Sequence, residues 1–170
     1  MIDADVRDRD DAAAICAAVF DLIRPDVDRM GIDVYSDYRD DEMPPEVLAA
    51  QRRLTESIRR RHTKRADISL VVTPDEAEWA DAEVYAPWSI DVVVYGRPSV
   101  MLACLHDCAS SVVVELTEVD AAVLRDRVAH LAPLVLLADV HRRRREDRRR
   151  ARAARRTERR AALQRLLHLQ

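Results

Sequence analysis

The chain is poor in glycine. Of its 170 residues, only Gly31 and Gly96 are glycines, whereas average usage would give about twelve. Loops in which the backbone closely approaches phosphate, such as Walker A and the dinucleotide fingerprint, need several glycines in one short segment. This scarcity excludes the common nucleotide-binding enzymes, and the G-x-S-x-G elbow of many hydrolases is missing as well.

Lysine is almost absent. Lys64 is the only lysine among 28 basic residues, and the others are arginine. Arginine binds phosphate and carboxylate bidentately, so such a skew can indicate selection for anion binding. The skew also holds outside the basic clusters, and we therefore attribute most of it to the base composition of the coding sequence.

Long apolar segments and a signal peptide are missing too. Apolar runs such as residues 134–138 are far shorter than the roughly 20 residues that span a bilayer. The N-terminus carries acids where a signal peptide carries positive charge. Three cysteines, an odd and sparse set, do not make a secreted disulfide framework. We expect a protein that is not secreted and does not bind membranes, located in the cytoplasm or within a larger particle.

Charge is segregated along the chain, although the formal net charge is only −3. Residues 1–50 hold 14 acids and 5 bases, and residues 67–140 hold 13 acids and 3 bases. Residues 51–66 hold 7 bases and 1 acid, and residues 141–170 hold 13 arginines and 3 acids. The sequence therefore combines an acidic body with two basic stretches.

Hydrophobic periodicity predicts an α+β fold, with an antiparallel β-meander of about four strands flanked by helices. Ile68, Leu70 and Val72 alternate with polar residues, as in a half-buried strand. Three further β runs at 90–95, 100–105 and 111–116 are joined by short connections, which favour antiparallel neighbours. Because these runs are nearly continuous in apolar residues, we expect both faces of the sheet to be covered.

Helices are predicted on both sides of these strands. Asp10 or Asp11 is expected to cap a first helix whose apolar pattern extends past Pro25. A second helix should begin at Pro44 or Pro45. Thr117 is expected to cap a third that ends near residue 133. Residues 33–45 and 74–82 are predicted to be acidic loops.

The domain organisation follows from these elements. Residues 1–132 are predicted to form the α+β domain, and residues 133–170 a long C-terminal helix. Residues 134–140 suit either a strand or a helix, and helix is favoured because nothing between them and residue 170 breaks it. Residues 141–160 form a basic arm within this helix. Residues 161–170 are predicted to be an apolar docking tip, formed by Leu163, Leu166 and Leu167.

The basic arm predicts a negatively charged partner. Its three alanines cannot form a stripe that docks on the body, and its few acids cannot neutralise its arginines. Nucleic acid is the first candidate, bound without sequence preference because no aromatic residues interleave to stack on bases. An acidic protein surface, including the body of a neighbouring copy, is the second candidate. The alternative without a binding role is a solvated helix that has no partner. The candidate binding residues are Arg142, Arg143, Arg144, Arg145, Arg148, Arg149, Arg150, Arg152, Arg155, Arg156, Arg159 and Arg160, with Arg52, Arg53, Arg59 and Arg60 secondary.

One short segment concentrates metal-ligating side chains. Residues 104–108 hold two cysteines, a histidine and an aspartate, all of which zinc accepts. Structural zinc sites usually combine two separated ligand pairs, and no second pair is evident, so we assign no metal or cofactor. A thiol nucleophile at Cys108, with His106 or His130 as its base, is a further possibility that spacing alone does not support.

Two carboxylates are arranged as in a nuclease. Asp91 begins one predicted strand, and Glu115 follows another in the segment Val-Glu-Leu-Thr. This pattern resembles the core of the PD-(D/E)XK nucleases, in which these two acids bind the catalytic magnesium. The resemblance covers about fifty residues, and it departs from the family where Thr117 replaces the lysine and Ile90 the proline.

Three functions are therefore compared. We expect a non-enzymatic component of a larger assembly, a homo- or hetero-oligomer, whose arm binds nucleic acid or an acidic protein surface. A free-standing interaction or inhibitory module that uses its acidic surface is the alternative. A degenerate metal-dependent nuclease centred on Asp91 and Glu115 is the third.

Overall fold

The computed structural model describes residues 2–6, 8–61, 69–72 and 75–167, with side chains for residues 6, 8–61, 75–156 and 158. The chain divides into two compact units, Met1–Val135 and Leu136–Gln170. Among the described helices, none is both long and apolar enough to cross a membrane.

The first unit alternates helices with the strands of one sheet. Its strands are β1 (Ile2–Asp5), β2 (Val27–Asp33), β3 (Ser69–Val72), β4 (Asp91–Gly96), β5 (Val100–His106) and β6 (Ser111–Val114), and its helices are α1 (Arg9–Ile23), α2 (Pro45–Arg61), α3 (Glu76–Tyr85) and α4 (Glu118–Val128). A two-residue strand, β7 (Val135–Leu136), spans the boundary between the two units, and α5 (Leu137–Leu167) follows it.

The six strands lie in the order β3-β2-β4-β5-β6-β1, and each register that the structure describes is antiparallel. Consecutive strands β4, β5 and β6 form the predicted meander. Within it, Asp91 of β4 and Ser111 of β6 both lie opposite His106 of β5. This register fixes which side chains share a face of the sheet, because successive residues of a strand point to opposite faces.

The four helices α1 to α4 contribute to one core on a single face of the sheet. Inward-facing strand residues such as Val92 and Leu105 are fully buried there, together with Phe20, Leu54 and Leu124 from the helices. Burying such side chains contributes about 1.5–3 kcal/mol each. The core also brings the rings of Phe20 and Trp79 into an edge-to-face contact with centroids 5.3 Å apart.

The opposite face of the sheet differs from the prediction. We expected both faces to be covered, but residues Val93, Tyr95 and Val113 on this face are only half-buried. Neighbouring side chains within the sheet cover part of their surface. The Arg29 guanidinium, for example, lies 4.8 Å from the Tyr95 ring centroid. The half-covered face is therefore an open surface on which polar side chains of β4 and β5 are reached by solvent.

The α+β class and the antiparallel meander are confirmed, while several elements differ from the sequence prediction. β1 was not predicted, β2 was assigned to the end of the first helix, and α3 was assigned to an acidic loop. Residues 134–140 divide between β7 and the start of α5. Ile68 lies outside the described residues.

Capping explains where the helices begin. Asp8, rather than Asp10 or Asp11, is the N-cap of α1, and its carboxylate accepts from the backbone N–H of both. Asp75 and Glu78 form a reciprocal capping box at α3, and Thr117 accepts from the Asp120 N–H at α4, as predicted. Each cap satisfies backbone donors that a helix leaves unpaired, which contributes about 1 kcal/mol.

The turn between β5 and β6 is strained. Asp107, Cys108 and Ala109 have φ values of 50°, 55° and 56°, a left-handed conformation that costs non-glycine residues roughly 1–2 kcal/mol each. Arg9 holds this turn, since its Nη1 donates to the carbonyl oxygens of Cys108 at 2.6 Å and Pro87 at 2.5 Å.

Candidate functional site

Helix α5 presents a long exposed surface. Every residue from His141 to Arg156 is exposed, and the helix contains no glycine or proline over its 31 residues. Arginine and alanine dominate this segment, and both have high helix propensity. Between His141 and Arg156 the second unit therefore exposes a continuous helical segment made mostly of charged side chains.

The arginines of α5 are concentrated on one side of the helix. At about 100° per residue, seven of the ten arginines between His141 and Arg156 fall within an arc of roughly 140°. The other three arginines, of which Arg142 lies close to one edge of the arc, and the acids Glu146, Asp147 and Glu158 fall on the remaining circumference. We call the set of seven the arginine face, and its members are Arg144, Arg145, Arg148, Arg149, Arg152, Arg155 and Arg156.

The arginine face retains its charge. The one ion pair found in the described part of α5 joins Arg142 Nη1 to Asp139 Oδ1 at 3.0 Å, and Arg142 does not belong to the face. A shallow recess of about 300 Å³ is lined by His141, Arg144, Arg145 and Arg148. Guanidinium groups around one recess repel each other unless an anion lies between them, so the recess is suited to a phosphate or carboxylate group.

The secondary arginines on α2 divide into two kinds. Arg53 makes a bidentate contact with Asp81 of α3, with Nη2 to Oδ1 at 2.6 Å, and is held within the first unit. Arg52, Arg59 and Arg60 are exposed and make no ion pair among the residues that the structure describes. They form a small basic patch of their own on the first unit.

Other predicted residues lie outside the described side chains. Arg159 and Arg160 continue α5, as do the docking-tip residues Leu163, Leu166 and Leu167. Their backbone is helical, and the structure describes nothing of their side chains. The apolar docking tip stays a prediction.

A second cluster lies on the half-covered face of the sheet. Asp91 begins β4, and Cys104 and His106 lie on β5 with side chains on the same face. His106 Nδ1 is 2.7 Å from Asp91 Oδ1, and Cys104 Sγ is 3.1 Å from Nε2 and 4.0 Å from Nδ1 of the same ring. A carboxylate oxygen, a ring nitrogen and a sulfur within 4.8 Å of one another could together hold a metal ion. We call these three residues the Asp-Cys-His cluster.

Within the Asp-Cys-His cluster, the hydrogen bonding is incomplete. Asp91 Oδ1 is buried and has no hydrogen-bond partner among the described residues, despite its short distance from His106 Nδ1. The two facts agree only if the ring N–H does not point at the oxygen, because a hydrogen bond needs alignment as well as proximity. A buried carboxylate oxygen without a partner costs free energy.

The Cys104 thiol is not arranged as a nucleophile. Burial, and secondarily the negative charge of Asp91, raises the pKa of Cys104 to about 11, so the thiol is protonated near neutral pH. Sγ also lies to the side of the Nε2 lone-pair axis. A sulfur atom on that axis, at the same 3.1 Å from Nε2, would be considerably farther from Nδ1 than the 4.0 Å in the structure. Activation of a thiol by an adjacent base needs that axis.

The same register gives the separation of Asp91 and Glu115, the two acids of the nuclease hypothesis. Glu115 pairs with Leu102, since its N–H donates to the Leu102 carbonyl at 2.8 Å, four residues along β5 from the partner of Asp91. Strand spacings therefore put the Cα atoms of Asp91 and Glu115 roughly 17 Å apart, and one magnesium ion with ligand distances of about 2.1 Å does not reach both carboxylates. The structure does not bring together the acids on which the nuclease resemblance depends.

Cys108 is directed away from both histidines that were considered as its base. Its thiol donates to the Trp88 carbonyl at 3.3 Å and lies 3.9 Å from Ser36 Oγ. His130 is exposed in the turn that follows α4. The thiol that does meet a histidine is Cys104, which sequence reasoning placed in the sheet.

Comparisons with protein-family models, with curated proteins and with solved structures found no match for this chain. Its function is therefore inferred from the two surfaces described above.

Proposed function

We propose that this protein is a non-enzymatic component of a larger assembly that binds nucleic acid through the arginine face of α5. The proposal depends on one observation: seven exposed arginines share one side of the helix, and all three acids of the segment fall on the other side. A helix that merely followed the base composition of its gene would distribute arginines and acids around its whole circumference.

The dimensions of the arginine face suit a nucleic-acid backbone. From Arg144 to Arg156 the helix rises about 18 Å, along which duplex DNA carries about ten phosphate charges. Each guanidinium can bind a phosphate through two parallel hydrogen bonds, and each neutralised phosphate releases condensed counterions. Affinity then comes from many similar contacts.

The arginine face has no means of recognising bases. Between His141 and Arg156 it includes no aromatic residue to stack on a base and no asparagine or glutamine to hydrogen-bond a base edge. We therefore propose binding without sequence preference, with duplex DNA and RNA both bound through their phosphates. The exposed arginines Arg52, Arg59 and Arg60 of α2 offer a secondary contact.

An acidic protein surface is the competing partner, and competition binding distinguishes the two. The full chain is bound to a fluorescent 20-base-pair DNA duplex, which is then displaced by unlabelled DNA duplex, unlabelled RNA duplex or polyglutamate at equal charge concentration. We expect both nucleic acids to displace the duplex at similar concentrations, and polyglutamate to require at least about ten times more charge, because it has a lower charge density and fewer condensed counterions. Equal displacement by polyglutamate would assign the arginine face to an acidic protein instead.

A further inference from the structure

Three chemically different metal ligands meet on the half-covered face of the sheet, far along the chain from α5. In the Asp-Cys-His cluster, the ligands come from two strands whose register places Asp91 directly opposite His106. Cys104 follows on the same face, because it is two residues from His106 and strand side chains alternate. The cluster is therefore set by the sheet itself and not by a mobile loop.

The distances in the cluster bracket those of a small coordination sphere. Zinc ligands lie about 2.0–2.3 Å from the ion, so tetrahedral neighbours are about 3.3–3.6 Å apart. His106 Nδ1 lies 2.7 Å from Asp91 Oδ1 and 4.0 Å from Cys104 Sγ. Rotation of the His106 ring, so that Nδ1 faces the other two ligand atoms, would bring the three atoms, which already lie within 4.8 Å of one another, to ligand spacing. The ion would then supply the partner that the buried Oδ1 lacks among the described residues.

The donor set selects the kind of metal. A thiolate and an imidazole favour zinc and similar transition metals, whereas magnesium and calcium prefer oxygen ligands. Three protein ligands leave a fourth tetrahedral position, as in zinc sites that keep one place for water or another exchangeable ligand. Since 40% of the Asp91 side chain and 51% of the His106 side chain are exposed, solvent reaches that position.

We propose that Asp91, Cys104 and His106 bind one zinc-class divalent ion with a solvent-accessible fourth position. Binding replaces the Cys104 S–H bond with a metal–thiolate bond and releases its proton to solvent. The site lies in the first unit and does not depend on nucleic-acid binding by α5, so either proposal can fail without the other.

Cobalt titration of the full chain tests the site, because a thiolate ligand gives cobalt(II) a strong charge-transfer absorption in the near ultraviolet. After removal of metals with a chelator, we expect the absorption to saturate at one equivalent of cobalt and to disappear when zinc is added. Cys104→Ser should abolish it. Asp91→Asn and His106→Gln, at positions whose side chains are 40% and 51% exposed, should each weaken cobalt binding at least about tenfold.

The matched control is Cys108→Ser, which removes a thiol four residues away whose hydrogen bond to Trp88 a hydroxyl can retain. This variant should keep the full absorption. If the wild-type chain shows no thiolate absorption, or if the band persists in Cys104→Ser, the site does not exist. Should Cys104→Ser fail to fold by circular dichroism, unchanged cobalt affinity in both Asp91→Asn and His106→Gln would overturn the proposal equally.

Discussion

Replacing Arg145, Arg148 and Arg152 together with glutamine is expected to lower the affinity for duplex DNA by roughly 10²- to 10³-fold at 0.1 M salt. These three residues lie near the middle of the arginine face. Each phosphate contact that is lost costs about one order of magnitude at this salt concentration, because its counterions are no longer released. Glutamine retains high helix propensity, so α5 should persist. Fluorescence anisotropy measures the affinity, and circular dichroism checks the helix.

The control removes the same charge from outside the arginine face, at two positions opposite the face and one at its edge. Arg142, Arg143 and Arg150 lie outside the arginine face, and their replacement with glutamine also lowers the charge by three. We expect this variant to lose less than about tenfold in affinity, through the general attraction between opposite charges. Equal losses in the two variants would show that only total charge matters and that the helix has no binding face.

Arg9→Ala is expected to lower the free energy of unfolding by about 2–4 kcal/mol. The Arg9 guanidinium donates to two carbonyl oxygens, those of Pro87 and Cys108, and lies 5.3 Å from the Tyr38 ring centroid. Hydrogen bonds from a charged donor contribute about 1.5–3 kcal/mol each, and carbonyls left without a partner add to the loss. Urea denaturation measures the change as a lower midpoint at an unchanged slope.

Two further variants make the Arg9 experiment specific. Arg127→Ala removes an exposed arginine that pairs with Asp21 at 2.5 Å, and it should cost less than about 1 kcal/mol. Asp107→Gly should stabilise the protein by about 1 kcal/mol, because glycine adopts the left-handed conformation without strain. In the double variant Arg9→Ala/Asp107→Gly, the change in the free energy of unfolding should differ from the sum of the two single changes by at least about 0.5 kcal/mol. Strict additivity would mean that Arg9 does not restrain the strained turn.

The strands of the meander were predictable because two physical signals agree there. Residues 92–95 of β4 and 100–105 of β5 form short, nearly continuous apolar runs, which are typical of strands. The connections between these strands are too short for any arrangement except antiparallel neighbours. Such agreement between local pattern and chain length makes a meander visible without any long-range information.

The elements that were missed carry mixed signals. Val27 and Met30 of β2 are spaced three residues apart, which suits a helix as well as a strand. In α3 the acids Glu76, Glu78 and Asp81 suggested a loop, although Trp79, Ala82 and Tyr85 recur at intervals of three and are buried. Two of these acids are held in place by tertiary contacts, since Glu78 accepts from Ser57 at 2.5 Å and Asp81 pairs with Arg53. Those partners lie on α2, so no local pattern indicates them.

The two candidate sites differ in how much the sequence determines. The arginine face follows from residue spacing once α5 is known to be helical, because position around a helix depends on sequence separation alone. The Asp-Cys-His cluster does not, since Asp91 meets His106 only through the register between β4 and β5. A search for ligands close together in the sequence finds Cys104, His106 and Cys108, yet the structure directs Cys108 to Trp88.

The salt dependence of duplex DNA binding by the full chain tests the central proposal most directly. If most of the arginine face contacts phosphates, a plot of the logarithm of the association constant against the logarithm of salt concentration should have a slope between about −4 and −6. The slope counts the counterions released, and so reports phosphate contacts independently of any substitution. Binding with a slope shallower than about −1, or no binding at 0.05 M salt, would contradict the proposal that α5 binds nucleic acid.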